Sequence, residues 1–379
     1  MKKILTGAFL LFASIGMSMY VAACSSDGSS TSGSSSTSYS GPGSKWDVSL
    51  NSAANTFVIT RAPDAASAVD MTVNGTYETT TSGFLKLTVT SASGTDAPTA
   101  GAQAYALNVP GFVFLLKPLD ANSEIIPMVA SGSCPSSSQS FNWMVTSHEA
   151  SGQGTTLEDN RDLLGTATFN GTDTMSIPAQ YDLQGDDITT PNNTITGSCS
   201  NGIISLNDGN PITLYLSTAG AGLVDIFAQG SGTATETDDR HTVIVAMPQD
   251  TISSLSSLDG NYIGIVFNES VSSGDKTAPV WANFNSAGTT TAGEFTDVDA
   301  GTQDPNQVTI TGISIDSPAN GFFRATLTSG SDTAPMSCQV TKNAAGSGQN
   351  IIFCVGIDPD SFTNGNADQL YTVLLVQQN

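Results

Sequence analysis

The sequence predicts an all-β protein of antiparallel up-and-down meanders arranged in three related units. Short runs rich in β-branched and aromatic residues, such as Thr56-Phe57-Val58-Ile59-Thr60 and Tyr262-Ile263-Gly264-Ile265-Val266-Phe267, alternate with turn words such as Asn74-Gly75, Asn201-Gly202 and Asn320-Gly321. Helical periodicity is confined to Thr156–Leu164 and Thr251–Leu258, each expected as a short helix between strand groups. Strand words also recur at fixed intervals, which is the signature of internal repetition.

Residues 1–23 read as an export signal. Lys2 and Lys3 precede an apolar run from Ile4 to Ala13, followed by small residues. The run is too short to be a stable membrane span. It ends in Val21-Ala22-Ala23-Cys24, which resembles the lipobox of bacterial lipoproteins. That resemblance implies diacylglycerol on the Cys24 thiol, cleavage before Cys24 and acylation of the new amine. Several acyl chains hold a protein to a bilayer permanently, because each buried methylene contributes about 0.8 kcal/mol. Ser25 stands where an aspartate favours inner-membrane retention in the Gram-negative pattern, so the expected address is the outer membrane. Residues 24–45 are then the lipidated cysteine and a Ser/Gly/Thr tether with an r.m.s. reach of roughly 25 Å.

Three units follow, at 46–130, 131–250 and 251–379. The apolar runs Phe112–Leu116, Thr242–Ala246 and Thr372–Val376 recur with Val113, Val243 and Val373 spaced by 130 residues. The word Thr-(Val/Ile)-(Asn/Thr)-Gly occurs at Thr72–Gly75, Thr194–Gly197 and Thr309–Gly312. Ala167–Asn170 matches Ala282–Asn285 at the 115-residue offset that also relates the last two of those words. Gly83–Lys86 echoes Gly321–Arg324. The first unit parses into about six strands, and the second into a count similar to that of the third. The third gives eight: 261–267, 279–285, 293–298, 307–315, 321–328, 336–341, 350–357 and 369–377. Eight hairpin-linked strands suffice to close a small barrel. Leu258-Asp259-Gly260-Asn261-Tyr262 with an apolar last strand looks like small lipocalin-like barrels, a sandwich being the related choice. A β-propeller is the alternative, each unit splitting into two blades. A membrane-embedded barrel needs ~10-residue alternating strands and aromatic girdles, for which 7% aromatic residues are few.

The formal net charge is −23, from 11 Lys+Arg against 34 Asp+Glu. Such a surface repels phosphate backbones, so no nucleic-acid partner is expected. The expected partner is the membrane, through the N-terminal lipid.

Besides Cys24 there are four cysteines, an even number in an exported chain. Of three connectivities, Cys338–Cys354 is favoured because both lie on strands predicted to be adjacent. Closing about 16 residues there contributes roughly 3 kcal/mol. Cys134–Cys199 follows by elimination. Metal ligation by these cysteines lacks any CxxC spacing and any nearby histidine.

No GxSxG elbow, HExxH, phosphate-cradling loop or dinucleotide fingerprint occurs. The two histidines, His148 and His241, read as solvated loop and strand-edge residues. The tryptophans Trp46, Trp143 and Trp281 fall on predicted strands, with core packing as the default. Calcium is the one cofactor with candidate ligands: Asp297, Asp299 and Asp304 in one segment, Asp358, Asp360 and Asp368 in another. Both offer alternating hard oxygens, and neither has EF-hand spacing; solvated acidic loops are the other reading. The function expected is a non-enzymatic structural or binding role at the cell envelope. The alternatives are a carrier of a small apolar ligand inside a barrel and a hydrolase acting through carboxylates. The chain looks like the uncharacterised β-rich envelope lipoproteins of proteobacteria, a kinship that implies no particular activity.

Overall fold

In a computed structural model of the chain, the residues described are 36–41, 46–63, 67–118, 125–149, 163–182, 194–207, 211–217, 222–225, 240–250, 252–269, 276–305, 307–315, 321–330, 332–343, 348–357 and 370–378. Residues 1–35, with the export signal, Cys24 and most of the tether, lie outside them.

The first unit is a closed barrel of β1 (Ser36–Ser40), β2 (Trp46–Asn51), β3 (Thr56–Arg61), β4 (Met71–Thr79), β5 (Leu85–Gly94), β6 (Gln103–Val109), β7 (Val113–Pro118) and β8 (Ile126–Val129). Each strand pairs with the next, and Ser40 opposite Val129 closes the ring. The second is also closed: β9 (Gln139–Glu149), β10 (Leu163–Phe169), β11 (Thr174–Asp182), β12 (Thr194–Ser200), β13 (Ile203–Asn207), β14 (Pro211–Leu216), β15 (Gly222–Asp225) and β16 (Arg240–Pro248). Here β16 returns to β9 along its whole length, from Arg240 opposite Glu149 to Pro248 opposite Phe141.

The third unit is a nine-stranded sheet. It comprises β17 (Gly260–Glu269), β18 (Lys276–Phe284), β19 (Thr290–Asp297), β20 (Thr302–Gln303), β21 (Val308–Ile315), β22 (Phe322–Ser329), β23 (Asp332–Lys342), β24 (Asn350–Ile357) and β25 (Leu370–Gln377). An additional short pairing of β18 with β19 brings its two flanks together. These are meanders curled into lipocalin-like barrels, and the propeller alternative is excluded.

Three expectations need correction. Ser36–Ser40, assigned by composition to the flexible tether, is β1, because backbone pairing with β2 orders it and Tyr39 plugs the barrel interior. The first unit therefore has eight strands, not six. Leu163 and Leu164, placed in a helix, open β10. The segment Leu255–Leu258 is a 3-10 helix. No helix among the described residues is long and apolar enough to cross a membrane.

The repeat words fall on equivalent strands. Thr72–Gly75, Thr194–Gly197 and Thr309–Gly312 lie on β4, β12 and β21, the fourth strand of each main meander. At Gly75 the reason for glycine is close approach: a Cβ there meets the Thr88 carbonyl at 2.2 Å and the Phe57 ring at 2.4 Å. The echo at 130 residues has a different cause. It falls on β7, the seventh strand of its barrel, and on β16 and β25, each the eighth of its main meander; among the described side chains each carries a stretch buried on both faces, Val113–Leu116, Val245–Met247 and Leu374–Val376.

Along β7, Val113 and Leu115 face a core shared between barrels, while Phe114 and Leu116 fill barrel 1. In β25, Leu374 and Val376 face the shared core and Leu375 the interior of barrel 3. Strand β24 does the same from Ile351 to Val355. Burial on both faces removes the polar half of the alternation and leaves a continuous apolar run.

Among the described residues the shared core contains twenty buried side chains drawn from all three units, including Phe84, Phe112, Met144, Met247, Phe322 and Phe353. Polar contacts lock its rim. Gln339 Nε2 donates to the Val245 carbonyl at 2.9 Å, joining barrels 3 and 2. Asn343 Nδ2 donates to the Pro110 carbonyl at 3.0 Å, joining barrels 3 and 1.

Two buried tyrosines make stability sensitive to alkali. Tyr39 donates to Asn108 Oδ1 at 2.6 Å in barrel 1, and Tyr262 to the Leu258 carbonyl at 2.7 Å in barrel 3. Burial pushes both hydroxyls up to about 12. An unfolded tyrosine ionises near pH 10. Between those values the folded chain retains protons that the unfolded chain has lost, so stability falls with rising pH by roughly 1.4 kcal/mol per pH unit for each tyrosine. Urea unfolding followed against pH should turn down above about pH 10; a flat profile through that window would contradict the burial of these hydroxyls.

Candidate functional site

The described surface is indented at one end of barrel 3 by a cleft of about 320 Å³. Three elements form its apolar floor: Leu258 from the 3-10 helix, Phe284 at the end of β18 and Ile310 on β21, all buried. The Phe284 ring is held edge-on by Tyr262 and Phe323, with centroids 5.1 and 6.3 Å away. The rim is the β18–β19 turn and the first half of β21, which supply amide and hydroxyl groups from Asn285, Ser286, Thr290, Thr309 and Thr311.

The turn is rigid for local reasons. Asn285 Oδ1 accepts from the Ala287 amide at 3.1 Å, and the Asn285 amide donates to Thr290 Oγ1 at 3.1 Å. Asp259 accepts from the Ser286 amide at 2.6 Å and from Ser286 Oγ at 2.7 Å, pinning the turn to the end of the 3-10 helix. Across the cleft the β21–β22 register shifts between Thr311 and Ser314, where Gly312 has φ of +59°. A bulge of this kind bends its strand and re-aims the side chains beside it.

Asp259 is the only carboxylate among the described lining residues, and it is engaged with Ser286. No histidine or cysteine joins it in that lining. An uncharged rim over an apolar floor suits binding of a neutral, amphipathic group. It does not assemble a nucleophile with a base, nor two carboxylates flanking a scissile bond.

The calcium candidates are placed as follows. Asp299 forms an ion pair with Lys86 of barrel 1 and accepts from the Tyr105 hydroxyl at 3.1 Å. Its backbone carbonyl accepts from the Thr81 amide at 3.1 Å. Next to it, Ser82 Oγ donates to the Val298 carbonyl at 2.6 Å, inside the seam. Hydrogen bonding to Asp299 raises Lys86 above the ordinary lysine value. Asp297 Oδ1 accepts from the Ala300 amide at 3.0 Å and so caps its own turn. The Asp304 amide donates to the Glu294 carbonyl at 2.9 Å. This segment therefore docks barrel 3 onto barrel 1, and among the described residues no three His, Cys, Asp or Glu side chains come together. Asp358, Asp360 and Asp368 lie outside the described residues.

Two disulfides are present, Cys134–Cys199 and Cys338–Cys354. Cys338 and Cys354 are direct register partners on β23 and β24 with Cα atoms 4.1 Å apart. Trp143 and Trp281 are buried, and Trp46 is half-buried with the Arg61 guanidinium 5.9 Å from its ring centroid. His148 and His241 lie on β9 and β16. The cleft was not anticipated from sequence. Its one local signal is the Thr309–Gly312 word, which lines it.

No protein-family model matches the chain, and no curated protein sequence matches it. Among solved structures, it is similar at 9% identity and a TM-score of 0.30 to a double mutant of the vaccine antigen Transferrin Binding Protein B from Haemophilus parasuis Hp5. That alignment covers 88% of this chain and 65% of the other, so the chain spans less than two thirds of that protein's length. A protein of unknown function of the DUF3598 family from Nostoc punctiforme aligns at 8% identity and a TM-score of 0.23, over 63% of this chain and 96% of its own. Similarities this remote carry no functional inference, and the barrels stand on their strand pairings alone.

Proposed function

We propose that the chain is a lipid-anchored envelope protein with a non-enzymatic binding or structural role, held at the outer membrane by Cys24 and projected from it by the Ser/Gly tether. The observation that supports this best is the packing of the body. Tyr39, Phe57 and Phe114 occupy the interior of barrel 1, Phe141 and Phe169 that of barrel 2, and Tyr262, Phe284 and Phe323 that of barrel 3. Those side chains lie where a carrier would hold its cargo, and the shared core packs the barrels against one another. Recognition then falls to the outer surface and to the neutral cleft of barrel 3. The carboxylate hydrolase is disfavoured by a cleft whose described lining holds one engaged acid.

Replacing Cys24 by alanine tests the anchor. The wild-type protein should sediment with membranes, partition into detergent and incorporate labelled palmitate in its host. The C24A variant should lose all three while its body remains folded. Unchanged membrane sedimentation of that variant would defeat the proposal.

A further inference from the structure

The cleft of barrel 3 opens where a ladder stops. Strand β19 pairs with β21 only along Thr290–Ala292, opposite Val308–Ile310. Beyond Ile310 the neighbouring chain has already turned back through residues 285–289 toward β18. On its other edge β21 stays paired with β22 as far as Ile315. Among the described residues, Thr311–Ile315 therefore has a strand partner on one edge only. Thr311, Gly312 and Ser314 are exposed, and Ile313 and Ile315 are half-buried against the core of barrel 3. Folded proteins ordinarily guard a free edge with Lys, Pro or an inward-pointing charge, and this segment contains none of these. Its bulge leaves room beside the strand, since a Cβ on Gly312 meets only Thr326 Oγ1, at 3.8 Å.

We propose that this edge and the cleft beside it bind an extended, basic peptide segment of another protein by strand addition, an assignment that rests on reading the cleft as a recognition site. An extended backbone supplies the alternating N–H and C=O groups that a free edge lacks. Its side chains alternate between two faces, so an apolar one enters the hollow over Leu258, Phe284 and Ile310. Charge selects the occupant. The described lining holds no Lys, Arg or His, and the chain carries a formal net charge of −23. That field draws cationic segments and repels acidic ones. It also opposes a second copy of this chain at the same edge.

The test uses the full mature chain in detergent, so that membrane attachment, which is checked through Cys24, does not enter the outcome. The probe is a fluorescent synthetic peptide, Lys-Thr-Ile-Thr-Val-Thr-Ile-Thr-Lys, followed by anisotropy. Saturable one-to-one binding is expected. Exchanging both terminal lysines for glutamates should weaken it, and raising salt should narrow that difference. N-methylation of the three central residues keeps the side chains but removes backbone donors, and should weaken binding at least about 10-fold. Ile313→Lys, which places a charge on the edge, should do the same. Because that substitution can perturb the barrel, hydrogen exchange on the unaltered protein provides a second measurement: the peptide should slow exchange within Thr311–Ile315. Binding no tighter than about 1 mM, or protection confined to other strands, would overturn the proposal. Equal binding of the N-methylated peptide would overturn strand addition while leaving the cleft as a pocket for side chains. Dimerisation of the free chain through Thr311–Ile315 would assign the edge to a second copy and overturn the proposal likewise.

Discussion

Replacing Phe84 by alanine is expected to destabilise the body by about 3–5 kcal/mol, the range for truncating a fully buried aromatic ring. Phe84 is 0% exposed and belongs to the shared core, where its ring meets Phe295 of β19 edge-on at 6.1 Å. Its side chain lies outside the interior of barrel 1, so the variant leaves that barrel's own packing intact and opens a cavity at the seam with barrel 3. Its carbonyl accepts from the Thr80 amide and hydroxyl, contacts that alanine retains. Two consequences follow for guanidinium unfolding. The midpoint should fall, and the single cooperative transition should broaden or split as barrel 1 uncouples from barrel 3. Phe84→Leu, which keeps most of the volume, should cost far less. A variant as stable and as cooperative as wild type would mean that the barrels behave as independent beads.

Converting both Cys134 and Cys199 to serine should cost about 4 kcal/mol on the chain-entropy model for a 65-residue separation. The Cys338–Cys354 bridge spans 16 residues and should contribute about 3 kcal/mol. The longer bridge also has a particular task. Cys134 belongs to the connector between barrels 1 and 2, and Cys199 lies on β12. The connector is otherwise tied to barrel 2 by the Ser131–Ser217 bridge and by the Gly132 amide donating to the Leu216 carbonyl at 2.8 Å. Both cysteines are only half-buried, so serine leaves no large cavity and the loss reports the cross-link itself. Urea titrations of the double variant and of the wild type, each with and without reductant, separate the two bridges. If reduction leaves the wild type unchanged, the bridges do not contribute in solution.

Much of the fold was legible because its signals are local. The eight strands read in the third unit correspond to β17–β19 and β21–β25, since turn words and two-residue alternation fix where a chain extends and where it reverses. The Cys338–Cys354 pairing was legible for the same reason, both residues lying on consecutive strands. Strand β1 was not. Ser36–Ser40 has one large apolar side chain, and what orders it is a ladder donated by β2, invisible in composition. The pairing of Asp299 with Lys86 was not legible either, because the two lie 213 residues apart in the chain. The cleft was hidden because Leu258, Phe284 and Ile310 are ordinary core residues by type. Only their convergence from three elements leaves a hollow between them.

Taken by itself, the sequence determined the all-β class, the division into three related units and the positions of most strands, because extension and reversal of the backbone are set by neighbouring residues. The tertiary structure alone decided which apolar runs fill a barrel and which face another barrel. It also decided which acid meets which base. Those outcomes depend on which strands close a ring and on how rings dock, and closure joins residues whose separation along the chain leaves no local trace.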